Sequence, residues 1–94
     1  MKTFAWNNDK NALLKETRQI SFEDVVFYIE KGFLLDILDH PNKDKYPDQR
    51  IFVVQIDDYA YLVPFVEDEH EVFLKTIIPS RKATKKYLQG DENE

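Results

Sequence analysis

The fold turns on one stretch, Arg50-Ile51-Phe52-Val53-Val54-Gln55-Ile56-Asp57-Asp58-Tyr59-Ala60-Tyr61-Leu62-Val63-Pro64-Phe65-Val66. A run rich in β-branched residues, an acidic two-residue break and a second apolar run read as a β-hairpin. Asp57-Asp58 is its tight turn, although the glycine that such turns favour is missing. Pro64 cannot donate a ladder hydrogen bond, so a bulge or an unpaired stretch is expected there. Both alternating sets are apolar: Phe52, Val54 and Ile56 against Ile51 and Val53, and Tyr59, Tyr61, Val63 and Phe65 against Ala60, Leu62 and Val66. Both faces of the sheet therefore need cover, and the C-terminal helix or a protein partner are the natural candidates for the second.

Working outward, Glu67-Asp68-Glu69-His70 is a turn, and Glu71 to Ile78 is the next strand. Upstream, the apolar run Leu34 to Leu38 ends in the turn cluster Asp39-His40-Pro41-Asn42, and the polar loop to Gln49 stays irregular. Two helices precede this meander. The first is capped by Asn7 or Asn8 and runs to about Thr17, with Leu13 and Leu14 as its clearest apolar residues. The second starts at Ser21-Phe22-Glu23-Asp24, which has the form of a capping box. Phe22, Val25, Val26 and Ile29 share one face of it, and Gly32 sits where a left-handed C-terminal residue belongs. Phe4 and Trp6 mark a short opening strand. Ser80 caps a last helix from Arg81 to about Leu88, with Gly90 ending it. The expected class is α+β: an antiparallel sheet of four to five strands, two N-terminal helices on one face and a short C-terminal helix. Residues 1–88 form a single domain, and residues 89–94 a flexible acidic tail.

Composition narrows the function classes. The chain has 94 residues, 43% hydrophobic and 33% charged, with no cysteine, which excludes disulfides, thiolate zinc sites and thiol nucleophiles. No stretch is long and apolar enough for a secretory signal or a bilayer span, so a cytoplasmic protein is expected. No glycine-rich phosphate loop or nucleophile motif occurs, and the acidic run Glu67 to Glu71 lacks the spacing of a calcium loop. Neither a cofactor nor a metal site is expected.

The net charge of −5 is an average over unlike segments. Residues 1–74 hold 8 basic and 15 acidic side chains, whereas residues 75–88 hold Lys75, Arg81, Lys82, Lys85 and Lys86 and no acid. Arg81 and Lys85 are four residues apart, as are Lys82 and Lys86, which makes two basic columns on one short helix. Like charges at that spacing repel, and a polyanion would relieve the repulsion. The alternative is a solvated face, or cations paired with the acidic body. In the polar loop, His40 and Tyr46 lie near Lys43, Lys45 and Arg50; a loop histidine can move a proton in RNA cleavage, or serve only as a strand-end hydrogen-bonder. Trp6 reads as core, while Tyr59, Tyr61 and Phe65 can be core or base-stacking platforms.

Three blocks carry a resemblance. Phe4-Ala5-Trp6-Asn7-Asn8-Asp9-Lys10-Asn11 resembles the F-x-W-D-x-x-K-N opening of the BrnT-type toxins of bacterial type II toxin–antitoxin modules. Ile20-Ser21-Phe22-Glu23-Asp24-Val25 resembles their V-S-F-E-E-A block, and Ile78-Pro79-Ser80-Arg81-Lys82-Ala83-Thr84 their I-S-A-R-x-A-T block. The blocks occur in family order and the likeness covers residues 3–88. Asn7 stands for the usual aspartate, Arg18-Gln19 for a common His-Gly, and Tyr87 where many members carry glutamate.

The resemblance implies a RelE-like ribonuclease fold, with helices on one side of the sheet, and metal-independent endoribonuclease activity that inhibits translation and growth. It implies a ribbon-helix-helix antitoxin as partner, in a heterotetramer or beside a toxin homodimer, and RNA as substrate. On that reading Arg81 stabilises phosphate charge, His40 or Tyr46 transfers the proton, and Lys10, Lys75, Lys82, Lys85 and Lys86 bind RNA. The competing reading is a non-catalytic protein-binding module acting through the basic C-terminal helix.

Overall fold

In the computed structural model, which describes residues 2–89, the hairpin forms as the sequence predicts. Strand β3 (Arg50–Ile56) pairs antiparallel with β4 (Tyr59–Glu67) in unbroken register from Arg50↔Phe65 to Ile56↔Tyr59. Asp57 supplies the turn's left-handed residue at φ 58°, a conformation aspartate tolerates better than most residues. Around this pair lie β1 (Thr3–Trp6), α1 (Asn8–Arg18), α2 (Phe22–Glu30), β2 (Leu34–Asp39), β5 (Glu71–Leu74), β6 (Ile78–Pro79) and α3 (Arg81–Leu88). The sheet runs β1-β5-β4-β3-β2, with β6 also on β4; every pairing is antiparallel except β1 with β5.

Pro64 explains why the expected strand Glu71 to Ile78 is two strands. Between Phe65↔Leu74 and Leu62↔Ile78, two residues of β4 face the three residues Lys75-Thr76-Ile77, which is a bulge. The Lys75 N–H donates to the Pro64 carbonyl at 2.8 Å, so the main-chain polar side of Pro64 faces that bulge. Its missing N–H thus leaves no β3 carbonyl unpaired.

The helices are positioned by local chemistry. The Asn7 side chain accepts from the Lys10 N–H at 2.9 Å and starts α1. Ser21 and Asp24 form the reciprocal capping box of α2, at 3.1 and 3.0 Å. Gly32, at φ 96°, ends α2: the Phe33 N–H donates back to Tyr28 O at 2.9 Å and the two rings meet at 5.7 Å. The corresponding left-handed residue after α1 is Gln19, at φ 54°. Gly90 and the acid residues of the tail lie outside the described residues.

The first face of the sheet carries the main core. Phe52, Val54, Val63 and Phe65 pack with Leu14 of α1 and Phe22 and Val25 of α2; the Phe52 and Phe65 rings stack at 3.8 Å. Trp6 stacks on Phe22 at 5.7 Å and is core, as expected; Phe65 is 1% exposed, which removes it as a base-stacking platform. Tyr61 packs partly buried on the same core.

The second face is covered by the chain itself. Val53, Ala60, Leu62, Leu35 and Leu38 pack against Ala83, Tyr87 and Leu88 of α3. The helices are therefore on both sides of the sheet rather than one, because the second apolar set of the hairpin needs a lid.

Candidate functional site

A short chain of hydrogen bonds fixes α3. Ser80 caps it by accepting from the Ala83 N–H at 3.0 Å, while the Ser80 N–H donates to Ala60 O at 3.0 Å. The Thr84 hydroxyl, on a residue 3% exposed, accepts from the Ala60 N–H and donates to Ser80 O, both at 2.8 Å. At the other end the Tyr87 hydroxyl donates to Asp36 Oδ2 at 2.6 Å. Ala60 is on β4 and Asp36 on β2, so α3 crosses the sheet from β4 over β3 to β2. Ala83 and Thr84 are buried beneath it, which sends the two basic columns to different flanks.

Lys82 and Lys86 edge an open groove of about 230 Å³ between α3 and the sheet. Leu38, Leu62, Ser80, Ala83 and Tyr87 complete its lining, and the Lys86 ammonium lies 5.3 Å from the Tyr87 ring centroid. Arg81 and Lys85 are exposed and do not line the groove. Lys75 joins the same face, with its ammonium 6.0 Å from the Phe73 ring.

Among the described residues the cations of this face form no ion pair, although the Lys86 charge lies close enough to Asp36 to help lower its pKa. Ion pairs among the described residues use Lys2, Lys15, Lys43 and Arg50; Lys75, Arg81, Lys82, Lys85 and Lys86 have no carboxylate of a described residue within 4.0 Å. The hydrogen bond to Asp36 raises the Tyr87 pKa, and the same bond, then that from the Ile37 N–H, lowers the Asp36 pKa. At neutral pH a charged Asp36 therefore holds a protonated Tyr87 ring against the groove.

His40 and Tyr46 are together, with ring centroids 4.5 Å apart. His40 Nδ1 accepts from the Asn42 N–H at 3.0 Å, which puts the proton of the neutral ring on Nε2. The His40 N–H donates to Gln49 O, two residues past Leu38 on β2. Arg81 follows Ser80, which is anchored at Ala60, the partner of Gln55. The anchors of His40 and Arg81 are thus separated by roughly 20 Å along the strands, taking about 3.3 Å per residue. The structure brings Lys82 and Lys86 together along the groove and His40 beside Tyr46 in the loop after β2, and does not bring Arg81 to the His40–Tyr46 pair. Lys10 is on α1, which packs on the opposite face of the sheet.

Two features escaped sequence reasoning. Asp36 stands out as an acid within an apolar run, yet its partner Tyr87 is 51 residues away. The Arg18 guanidinium donates to Ile77 O at 3.0 Å, so α1 braces the bulge leading into α3. No cluster of three or more His, Asp or Glu side chains able to hold a metal ion occurs among the described residues. No helix among them is long and apolar enough to cross a membrane.

The order of elements and the crossing of α3 can be set against known proteins. The ribonuclease toxin BrnT of Brucella abortus superposes with a TM-score of 0.62, over 85% of this chain and 97% of that one. The fold is that of BrnT. Sequence identity is 15%, so the likeness is one of architecture. No protein-family model matches the chain, and no curated protein matches it in sequence. In this chain the first of the three sequence blocks spans β1 and the start of α1, the second opens α2, and the third spans β6 and the start of α3.

Proposed function

We propose that this chain is the toxin component of a type II toxin–antitoxin module, an endoribonuclease that inhibits translation and is neutralised by a ribbon-helix-helix antitoxin. One observation carries the reading: on a BrnT fold whose residues 1–74 are net acidic, five cations of residues 75–88 gather on one helix and the strand end before it and form no ion pair among the described residues. A polyanion supplies the missing charge.

The chemistry suited to such a site needs no metal. A base takes the 2′-hydroxyl proton, the 2′-oxygen bonds to the adjacent phosphorus, and the P–O5′ bond breaks as an acid protonates the leaving oxygen. A 2′,3′-cyclic phosphate results. The added negative charge is met by cations. Arg81 suits that role because its planar fork matches phosphate oxygens, while Lys75, Lys82, Lys85 and Lys86 hold the backbone. His40 and Tyr46 are the candidates for proton transfer. Because their anchor lies roughly 20 Å along the strands from that of Arg81, they and Arg81 are alternative centres for this step rather than groups acting on one phosphate.

Induced expression tests this. Wild type should arrest growth and deplete cellular RNA, and the purified chain should cleave RNA to cyclic-phosphate ends. Arg81→Ala and Lys82→Ala/Lys86→Ala should relieve arrest, and co-expression of a ribbon-helix-helix protein encoded beside it should do so for wild type. A chain that binds protein but leaves RNA intact and growth normal would instead be the non-catalytic binding module.

A further inference from the structure

The groove beneath α3 has a shape that phosphate binding alone does not require. Its lining is apolar and aromatic at Leu38, Leu62, Ala83 and Tyr87, and also includes Lys82 and Lys86 one helical turn apart. A purely electrostatic backbone site would be a ridge of cations without a slot. The Tyr87 ring is also held in place at both ends, by packing in the second cluster and by the 2.6 Å bond from its hydroxyl to Asp36. The Lys86 ammonium lies 5.3 Å from the Tyr87 ring centroid, so a base that takes its place on the ring frees Lys86 for a flanking phosphate. The fixed ring with its apolar and cationic neighbours matches a π-faced group flanked by negative charge.

We infer that the groove is a subsite for one unpaired nucleobase, with the flanking phosphates on Lys82 and Lys86, so that the chain selects single-stranded over duplex RNA. The inference rests on the ribonuclease reading above and adds the form of RNA to it. In a duplex the bases are stacked and paired inward, and none can enter a slot of about 230 Å³. In a single strand a base can turn out and lie against Tyr87. Asp36 acts through Tyr87 and is a positioning residue: it fixes the ring without meeting the base.

The test is a fluorescence-anisotropy titration of the wild-type chain at fixed salt, using 2′-O-methyl strands that cannot be cleaved. The three probes are a short wholly abasic strand, the same strand with one base restored, and a fully paired duplex of equal phosphate count. Restoring one base should tighten binding about tenfold, the scale of one base–aromatic stack. The duplex should bind no better than the abasic strand. Tyr87→Ala should erase the gain from the restored base while keeping the salt slope. Lys82→Ala and Lys86→Ala should each flatten that slope by roughly 0.7 and keep the gain. Equal binding of all three probes, with growth arrest intact, would overturn the groove inference and leave the ribonuclease reading standing. No RNA binding together with no growth arrest would overturn both.

Discussion

Beneath α1 and α2, twelve buried apolar residues join the sheet to its helices, with a Phe52–Phe65 stack at 3.8 Å and a reciprocal capping box at the entry of α2. Beneath α3 the buried cluster is Val53, Ala60 and Ala83, and the helix is held as much by Thr84 and Tyr87 hydrogen bonds as by apolar packing. The first face uses its side chains for burial, while the second keeps a groove open, and its cations form no ion pair among the described residues. Stability and recognition are thus divided between the two sides of one sheet. A small domain has little stability to spare, so the side that binds must be the side that contributes least to holding the fold.

The largest effect should come from breaking the first face. Phe65→Ala removes a ring stacked on Phe52 at a site 1% exposed, and should cost about 3–5 kcal/mol, enough to unfold much of a domain this size. Urea titration followed by far-ultraviolet circular dichroism measures it. On the second face, Thr84→Val leaves the buried Ala60 N–H without an acceptor, at a cost of about 1–3 kcal/mol, while the Ser80 carbonyl keeps the main-chain N–H of residue 84. Amide exchange should then rise in α3 while α1 and α2 stay protected. Uniform loss of protection would mean that the two faces are one cooperative unit and that the division is wrong.

A smaller effect sharpens the contrast from the opposite direction. Gly32 and Gln19 occupy left-handed positions after α2 and α1, but only glycine does so without crowding its own Cβ. Gln19→Gly should therefore stabilise the chain by about 0.5–1 kcal/mol. Because the change sits on the first face, growth arrest should be unaltered. A change in arrest at unchanged expression would show that α1 reports to the groove, for which Arg18 and its bond to Ile77 O are the available route.

Much of this was legible from the chain. Ser21 with Asp24, and Ser80 before Arg81, announce helix starts through short-range hydrogen bonds, and the alternation on either side of Asp57-Asp58 announces the hairpin. The two basic columns follow from four-residue spacing alone. Which column borders the groove depends on which side of α3 meets the sheet, and that is set by Ala83, Thr84 and Tyr87 meeting residues of β2 and β4. The split of the last strand at Pro64 was only half legible: proline forbids a donor, but whether the partner bulges depends on how Ile77 is drawn into the core. Asp36–Tyr87 and Arg18–Ile77 were not legible, since they join residues 51 and 59 apart with no local pattern to connect them. The site is less legible than the fold because it is assembled from such long-range pairs.

The smallest effect isolates the polar tether itself. Asp36 has its pKa lowered by the Tyr87 hydroxyl, so the stabilisation it provides is present above the ordinary carboxylate value of about 4 and is lost as pH falls through the lowered one. Tyr87 has its pKa raised by Asp36, so its share is present below about 10 and is lost as pH rises through the raised value. The tether is therefore complete only between those limits. Tyr87→Phe keeps the ring and deletes the bond, so the gap in urea midpoint between wild type and variant should be flat from roughly pH 5 to 9 and should narrow on either side. The gap itself should be small, because the pair borders water. A gap that persists unchanged well below pH 4 would mean that the hydroxyl is not tied to a carboxylate, and that α3 is held over the second face by apolar contact and Thr84 alone.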